Sequence, residues 1–310
     1  MIVKKTARLS AALFFAVLLT GCATAPKRAT RLFVAPADYI SGDTDIKIHM
    51  IDVGQGDSIL IQTPNGRNML IDAGGVPSFM GGNTDTGREY VIPFLQRHLR
   101  RGFTLDAVIM SHPHADHIGG MPTVLENVKV RKVYDSGYAR GDSEYGKCLE
   151  IIKRKNIDYE VVSAGDVIEL DPDLEITVLS PPSGISFEGA NNNSVVVRIK
   201  YKDFVTILTG DAEVEAENYM VPSFRGGLQA SLLKVGHHGS RTSSTPGFIN
   251  ALIPEVALIP CGRNNRFGHP HSETVSRLRG ADTYVYRSDY DGDVTVTSNG
   301  FSFTVRTSRR

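Results

Sequence analysis

The chain is short of sulfur, of net charge and of long apolar runs, and each shortage removes a class of protein. It has three cysteines in 310 residues. That leaves room for one disulfide at most if Cys22 is used otherwise, and Cys148 and Cys261 read as free thiols in separate elements. Lysine and arginine total 34, and so do aspartate and glutamate. A general nucleic-acid binder gains its affinity by neutralising many phosphates, so any phosphate recognition here must be local. One apolar run, Leu9 to Leu19, is too short to span a bilayer comfortably. No channel segment, no repeat and no second globular domain follows it.

The apolar run has a simpler reading. Lys4, Lys5 and Arg8 precede it as the positive region of an export signal. Leu19-Thr20-Gly21-Cys22 resembles a bacterial lipobox, which implies cleavage before Cys22 and acylation of its thiol. Ala23 stands where an inner-membrane retention signal would have Asp. The resemblance therefore implies a lipid anchor in the cell envelope, on the outer membrane facing the periplasm in a cell with two membranes. Residues 1–21 read as signal, 22–44 as a tether without periodicity, and 45–310 as the folded domain. Removing Lys4, Lys5 and Arg8 leaves 31 basic against 34 acidic residues, a net of −3.

The densest chemistry lies in Ser111-His112-Pro113-His114-Ala115-Asp116-His117-Ile118-Gly119-Gly120. Three imidazoles and a carboxylate fall within six residues, after the buried-strand run Ala107-Val108-Ile109-Met110. These are the ligand types of zinc and related divalent ions. An extended turn would point His112 and His114 the same way. Asp116 and His117 would open a helix, and Gly119-Gly120 would let its backbone pack closely.

This stretch resembles the His-x-His-x-Asp-His signature of metallo-β-lactamase-fold hydrolases. Asp52-Val-Gly-Gln-Gly-Asp57-Ser, Thr209-Gly210-Asp211, Gly236-His237-His238-Gly239-Ser240 and the Gly268-His269-Pro270 loop resemble one branch of them. That branch is the hydrolase domain of the ComEC-type DNA-uptake competence proteins. The resemblance covers about Ile46 to Val305 and implies a four-layer αββα sandwich, an α/β fold. A β-meander from Lys47 to Asp72 followed by strand–helix alternation agrees with its first half. A helix is expected over 87–101 with a kink at Pro93, and short strands at 159–162, 167–170 and 174–179. The closing strands near 283–286, 294–297 and 301–305 are expected to complete the second sheet.

The resemblance also implies roles. His112, His114, Asp116, His117, Asp211 and His238 would hold two divalent ions, zinc first and manganese as the alternative. Asp211 would bridge them, since a carboxylate has two oxygens to offer. Asp72, and Asp57 in a related part, would orient ligands. His237 would contact phosphate or act as an acid, with the order of His237 and His238 left open. Between His117 and His237 there is no histidine, although many relatives place a third one there. Asn193 is the candidate for its place, as metal or substrate ligand. His269 would donate to substrate or protonate a leaving group. Arg263 and Arg266 would clamp a phosphate, and Ser240 would contact substrate. Asp116, His237 and His269 form the catalytic set. Glu213, His49, His98 and His271 read as structural or solvated, His271 as a cap for the helix beginning near Glu273.

Such a site is that of a metal-dependent hydrolase whose metal-bound hydroxide attacks phosphorus or carbonyl carbon. Phosphodiesters come first, with a competence-protein-like nuclease in view. A different envelope ester, lactone or lactam is the alternative, and a non-enzymatic protein with a remnant site the third reading. The partners implied are the membrane, through the anchor, and a nucleic acid or other phosphodiester. No protein partner is implied, and the chain reads as a monomer. The anchor has a direct test. Radiolabelled palmitate should be incorporated into the wild-type protein and not into Cys22→Ala; equal labelling of both would remove the lipoprotein reading.

Overall fold

Turn chemistry begins the domain. β1 (Ile46–Met50), β2 (Ile59–Gln62) and β3 (Asn68–Ile71) pair antiparallel in succession. Gly66, at φ +76°, closes the second turn, where Thr63 N–H donates to Arg67 O. The computed structural model describes residues 44–75, 84–139 and 143–309. The signal, nearly all of the tether, and Cys22 lie outside the described residues, which all belong to one unit spanning Val34–Arg310.

The expected helix over 87–101 is shorter. A π-helical turn, Gly87–Val91, runs into α1 (Ile92–His98). The irregularity precedes Pro93, whose missing N–H is harmless in a first helical turn. β4 (Thr104–Met110), β5 (Lys129–Asp135) and β6 (Asp158–Val161) then extend the sheet in parallel from β3. Between them come α2 (Ala115–Ile118), α3 (Met121–Asn127) and α4 (Ser143–Lys155).

The second sheet opens antiparallel, with β7 (Glu175–Ser180), β8 (Val196–Tyr201) and β9 (Phe204–Leu208). It continues parallel through β10 (Leu232–Lys234), β11 (Val256–Ile259) and β12 (Tyr284–Arg287). The crossovers are α5 (Val214–Ser223), α6 (Pro246–Leu252) and α7 (Ser272–Gly280). α6 is absent from the sequence reading. Its signal is the Thr245 cap, whose hydroxyl accepts from Phe248 N–H, with Pro246 in the first turn. The strand expected over 167–170 reduces to a single bridge, Val167 to Thr177.

One topological expectation fails. α8 (Ser288–Asp291) turns the chain back after β12, and β13 (Val294–Ser298) and β14 (Phe303–Thr307) join the first sheet beside β1. The order is β14-β13-β1-β2-β3-β4-β5-β6 in one sheet and β12-β11-β10-β9-β8-β7 in the other. The reason is burial. Ile46, Ile48 and Met50 are fully enclosed, so β1 cannot remain an edge.

Helices cover one face of each sheet. On the first, Phe94, Leu95, Val124, Leu125, Cys148, Ile151 and Ile152 pack with Leu60, Leu70, Val108 and Val133. On the second, Met220, Phe248, Leu252 and Leu278 pack with Ile207, Leu233, Ala257 and Ile259. Ile59, Ile61, Met69 and Ile71 occupy the opposite face of the first sheet and are equally buried. Phe204 of one sheet meets Phe303 of the other at 5.4 Å between ring centroids. The result is the αββα sandwich. Cys148 and Cys261 are buried free thiols in different helix–sheet layers.

The parallel strands of both sheets deliver the chemistry at their carboxyl ends, where open α/β sheets place their ligands. β3 ends before Asp72, β4 before Ser111-His112, β9 before Asp211, β10 before His237-His238 and β11 before the loop to His269. The glycines of the histidine loop act as read. Ala73 N–H donates to His117 O at 2.7 Å, and Gly120 N–H to Gly74 O at 2.8 Å. A Cβ on Gly120 would stand 2.4 Å from Ala73 O and 2.5 Å from Gly87 N, both backbone atoms. Gly120→Ala should therefore lower stability by about 1–3 kcal/mol through overpacking, measured by urea unfolding. An unchanged midpoint would show that this approach relaxes freely.

Candidate metal centre

Asp72 stands first in the construction. Its backbone is left-handed, at φ +59°, which turns the carboxylate back to the end of β4. It accepts from Ser111 N–H at 2.8 Å and Ser111 Oγ–H at 2.6 Å. It also meets His117 Nδ1 at 2.8 Å. With Nδ1 held there, His117 turns Nε2 to Asp211 Oδ1, 3.0 Å away. A carboxylate on the far nitrogen of a ligating imidazole sets its tautomer and orientation.

The same pattern recurs across the interface between sheets. Asp57 Oδ1 lies 3.1 Å from His238 Nδ1, which also meets Pro260 O at 3.1 Å. His238 Nε2 then faces Asp116 Oδ2 at 3.2 Å and Asp211 Oδ2 at 3.7 Å. His112 Nε2 is 3.1 Å from His114 Nδ1 and 3.9 Å from Asp211 Oδ2. The two oxygens of Asp211 thus face different imidazoles. Asp57, His117, Asp211 and His238 are all buried, and one ligand atom from each lies within 4.8 Å of the others. His238 occupies this cluster, while His237 stands at its rim, with a quarter of its side chain exposed.

His237 and His238 are both left-handed, at φ 47° and 52°, and their rings lie 6.0 Å apart at an interplanar angle of 63°. Such conformations cost about 1–3 kcal/mol each in residues with a Cβ. His237 Nδ1 is held by Glu213 Oε1 at 2.8 Å, and its Nε2 is 3.7 Å from Asp211 Oδ2. Glu213, read as part of a solvated helix face, instead belongs to the site. It also accepts from the Thr242 hydroxyl, which bonds Ser240 Oγ at 2.8 Å. Ser240 is buried; its hydroxyl joins that chain, and its N–H donates to His237 O at 2.8 Å.

The structure does not bring Asn193 to the imidazoles. Its Oδ1 accepts from Phe187 N–H at 3.0 Å, and its Nδ2 donates to Phe187 O and Gly189 O. The amide is used to brace that loop. The neighbouring Ser194 reaches the centre instead, with Oγ 3.3 Å from His112 Nδ1 while accepting from Asp211 N–H at 3.0 Å. Lys234 is the other residue that sequence reasoning missed. Its buried ammonium pairs with Asp57 Oδ2, donates to Gly210 O at 2.6 Å and lies 3.8 Å from Asp211 Oδ1.

Charge follows from these contacts. Burial opposes ionisation of Asp211, but His117, His238 and His237 hold its carboxyl well below the usual range. Burial likewise opposes charging of His238, yet Asp211, Asp116 and Asp57 lift it to about 10. His117 is also raised, by Asp211, Asp57 and Asp72 against burial. His112 is pushed down by burial. His269 falls to about 4 through burial and the positive fields of His237 and His238.

His269 lies with its ring 5.3 Å from that of His237. Arg263 and Arg266 are exposed on the same loop. His271 is the N-cap residue of α7, as expected, but caps through its carbonyl rather than its ring, whose Nδ1 accepts from Arg241 N–H at 3.0 Å. His49 is structural, bonded to Thr295 and Gln62, and His98 stacks on Phe94.

The residues fit divalent ions. The cluster is anionic and rich in imidazole. Two of its buried atoms, His117 Nε2 and Asp211 Oδ1, have no hydrogen-bond partner among the described residues, although they face each other.

Comparison with known proteins follows the same line. The sequence model of the metallo-beta-lactamase superfamily matches residues 51–263. ComE operon protein 3 of Bacillus subtilis is 35% identical over 275 residues, covering 85% of this chain and 34% of that protein. Competence protein ComA of Neisseria gonorrhoeae is 28% identical over 256 residues, covering 81% and 32%. The chain thus spans about a third of the length of the curated relatives it matches. Among solved structures, CmlA, a diiron beta-hydroxylase from Streptomyces venezuelae, superposes with a TM-score of 0.52 at 12% identity. The match covers 80% of this chain and 53% of that one, and it shows the shared fold.

Asp211→Ala should lose both ions rather than one, read as metal per protein by mass spectrometry. Retention of two tightly held ions would remove Asp211 from the bridging position. Metal binding needs neutral imidazole, and His238 is charged up to about pH 10. Zinc binding near pH 7 should therefore release protons, and affinity should rise with pH. Calorimetric heats that do not depend on the buffer would contradict this. By the same shift, His238 stabilises the metal-free fold fully below about pH 6.5 and loses that contribution as pH rises through about 10.

Proposed function

The chain belongs to the metallo-beta-lactamase superfamily, and from that premise we propose that it hydrolyses phosphodiester bonds. The observation that carries the reading is the loop after β11. It puts two exposed arginines, Arg263 and Arg266, beside a histidine whose ring stands 5.3 Å from His237 at the rim of the carboxylate–imidazole cluster. A phosphodiester keeps negative charge on its non-bridging oxygens throughout the reaction. Guanidinium groups match that charge in a way that a neutral ester or lactam does not require. Likeness to proteins named for competence supports the same substrate class.

His112, His114, Asp116, His117, Asp211 and His238 would hold the ions. Divalent ions held there would supply Lewis acidity and lower the pKa of a water nucleophile toward neutrality. The protein's own groups do the rest. Asp72 and Asp57 orient His117 and His238 through their Nδ1 atoms. Glu213, whose carboxyl stays ionised through its bonds from His237 and Thr242 despite partial burial, fixes the His237 ring. That leaves His237 Nε2 facing the reaction space, where it donates a proton to the leaving oxygen. His269, neutral, donates a hydrogen bond to a non-bridging oxygen. Anchorage at the envelope through Cys22 belongs to the same proposal.

Substrate charge separates this reading from hydrolysis of another envelope ester. The double variant Arg263→Ala, Arg266→Ala should keep its metals. It should lose about 100-fold in turnover of bis-p-nitrophenyl phosphate, roughly 2.7 kcal/mol of transition-state stabilisation. Hydrolysis of p-nitrophenyl acetate or a cephalosporin should change little. An equal fall on charged and neutral substrates would make the arginines structural. Absence of phosphodiester turnover with both zinc and manganese would transfer the assignment to the neutral ester.

A further inference from the structure

The loop that carries the arginines also carries flat, apolar surface. Phe267 is 40% exposed. Its ring stacks on His269 at 5.7 Å between centroids and an interplanar angle of 26°. The Arg266 guanidinium lies over the same ring at 5.5 Å. His269, Phe267 and Arg266 thus form a series of flat groups that climbs outward from the rim, beginning 5.3 Å from the His237 ring.

The series is held in place. Asn265 Oδ1 accepts from Phe267 N–H at 3.2 Å and from His269 N–H at 3.0 Å. Its Nδ2 donates to Gly262 O at 2.9 Å and to His269 O. Gly262 N–H in turn donates to Gln55 Oε1 at 2.9 Å, which ties the loop to the turn after β1. Gly268, at φ +70°, makes the turn between the two stacked rings. One amide therefore sets both rings, and an exposed phenylalanine is fixed on a braced loop. His269 Nδ1, buried on the inner side, has no hydrogen-bond partner among the described residues.

We infer that Arg266, Phe267 and His269 form a stacking subsite for an unpaired nucleobase next to the scissile phosphate. The substrate class is then single-stranded nucleic acid. The inference rests on the phosphodiester reading and narrows it. Aromatic faces and guanidinium planes bind bases without sequence preference, because every base has a π-face. In a duplex both faces of a base are covered by its neighbours, so only an unpaired base can use this surface. An acyl, sugar or lactam substituent would gain much less from it. The near-neutral chain agrees, since stacking supplies affinity that a broad basic field does not provide here.

The test uses the full chain loaded with zinc and phosphorothioate strands that resist cleavage, with binding read by fluorescence anisotropy. Three probes share one length: a single-stranded oligodeoxynucleotide, its duplex, and a strand with abasic sites throughout. The wild type should prefer the base-bearing single strand by about tenfold over both others. Phe267→Ala should abolish the preference, Phe267→Trp should restore it, and the salt dependence should keep its slope because no charge is removed. Equal binding of abasic and base-bearing strands by the wild type would overturn the subsite. So would a Phe267→Ala loss accompanied by a shallower salt slope, which would mean that the phenylalanine only positions the arginines. Turnover of the same strands with ordinary phosphate linkages is read separately. A base preference that depends on Phe267, with no hydrolysis of any phosphodiester, would keep the subsite and remove the reaction.

Discussion

Everything at the centre of this molecule depends on keeping like charges together in a dry place. Asp57, Asp72 and Asp211 are almost wholly enclosed, with Asp116 beside them. Unpaired, carboxylates in such surroundings would be intolerable. The compensation comes from His117, His238 and Lys234. Lys234 is the part of it that comes from outside the ligand set. Its ammonium sits at the end of a strand in the second sheet and pairs with Asp57, from the turn after β1 in the first sheet. The ion pair is therefore also a clamp between the two halves. Removing one partner of such a pair typically costs about 3–5 kcal/mol, more than the overpacking at Gly120.

The same economy explains why two adjacent histidines do different work. Left-handed backbone at both positions between Gly236 and Gly239 sends one ring inward and the other to the rim. The inner ring meets Asp57, Asp116 and Asp211, and the outer one meets Glu213. Strain of about 1–3 kcal/mol per residue is tolerable only where contacts on both sides over-determine it, and both rings have such contacts here.

Much of this was legible in the sequence, for a stated reason. His112 to His117, Asp72 and Asp211 stand at the ends of apolar strands, where period and motif coincide, and the fold brings them together. The failures share a different cause. Lys234 looked like an interior residue of an ordinary strand, and a partner 177 positions away cannot be read from local pattern. Glu213 opens a helix rich in acids, so composition assigned it to solvent, whereas Thr242 and His237 draw it in. Asn193 and Ser194 are neighbours of similar polarity. Only the brace to Phe187 and Gly189 decides which one faces the centre. The last two strands were given to the wrong sheet because their alternation shows that one face is buried without showing where. The enclosed side chains of β1 supply that information, and they lie about 245 residues earlier.

Charge distribution joins the fold to the chemistry. A chain with no net charge has no long-range field to gather polyanions, so its selectivity must be decided within a few ångströms of the reacting bond. The carboxylates that would hold metal are themselves repulsive to a phosphate, and ions offset this only at the centre. Beyond it stand Glu213, an acid held on His237, and the arginine loop, whose His269 ring lies 5.3 Å from that of His237. The groups that stack and the groups that attract charge lie on the same short loop, tied by Gln55 to the turn that also contains Asp57. Recognition outside and ligand orientation inside thus share one support. A disturbance of the Gln55 contact would be felt at the loop and at His238 together.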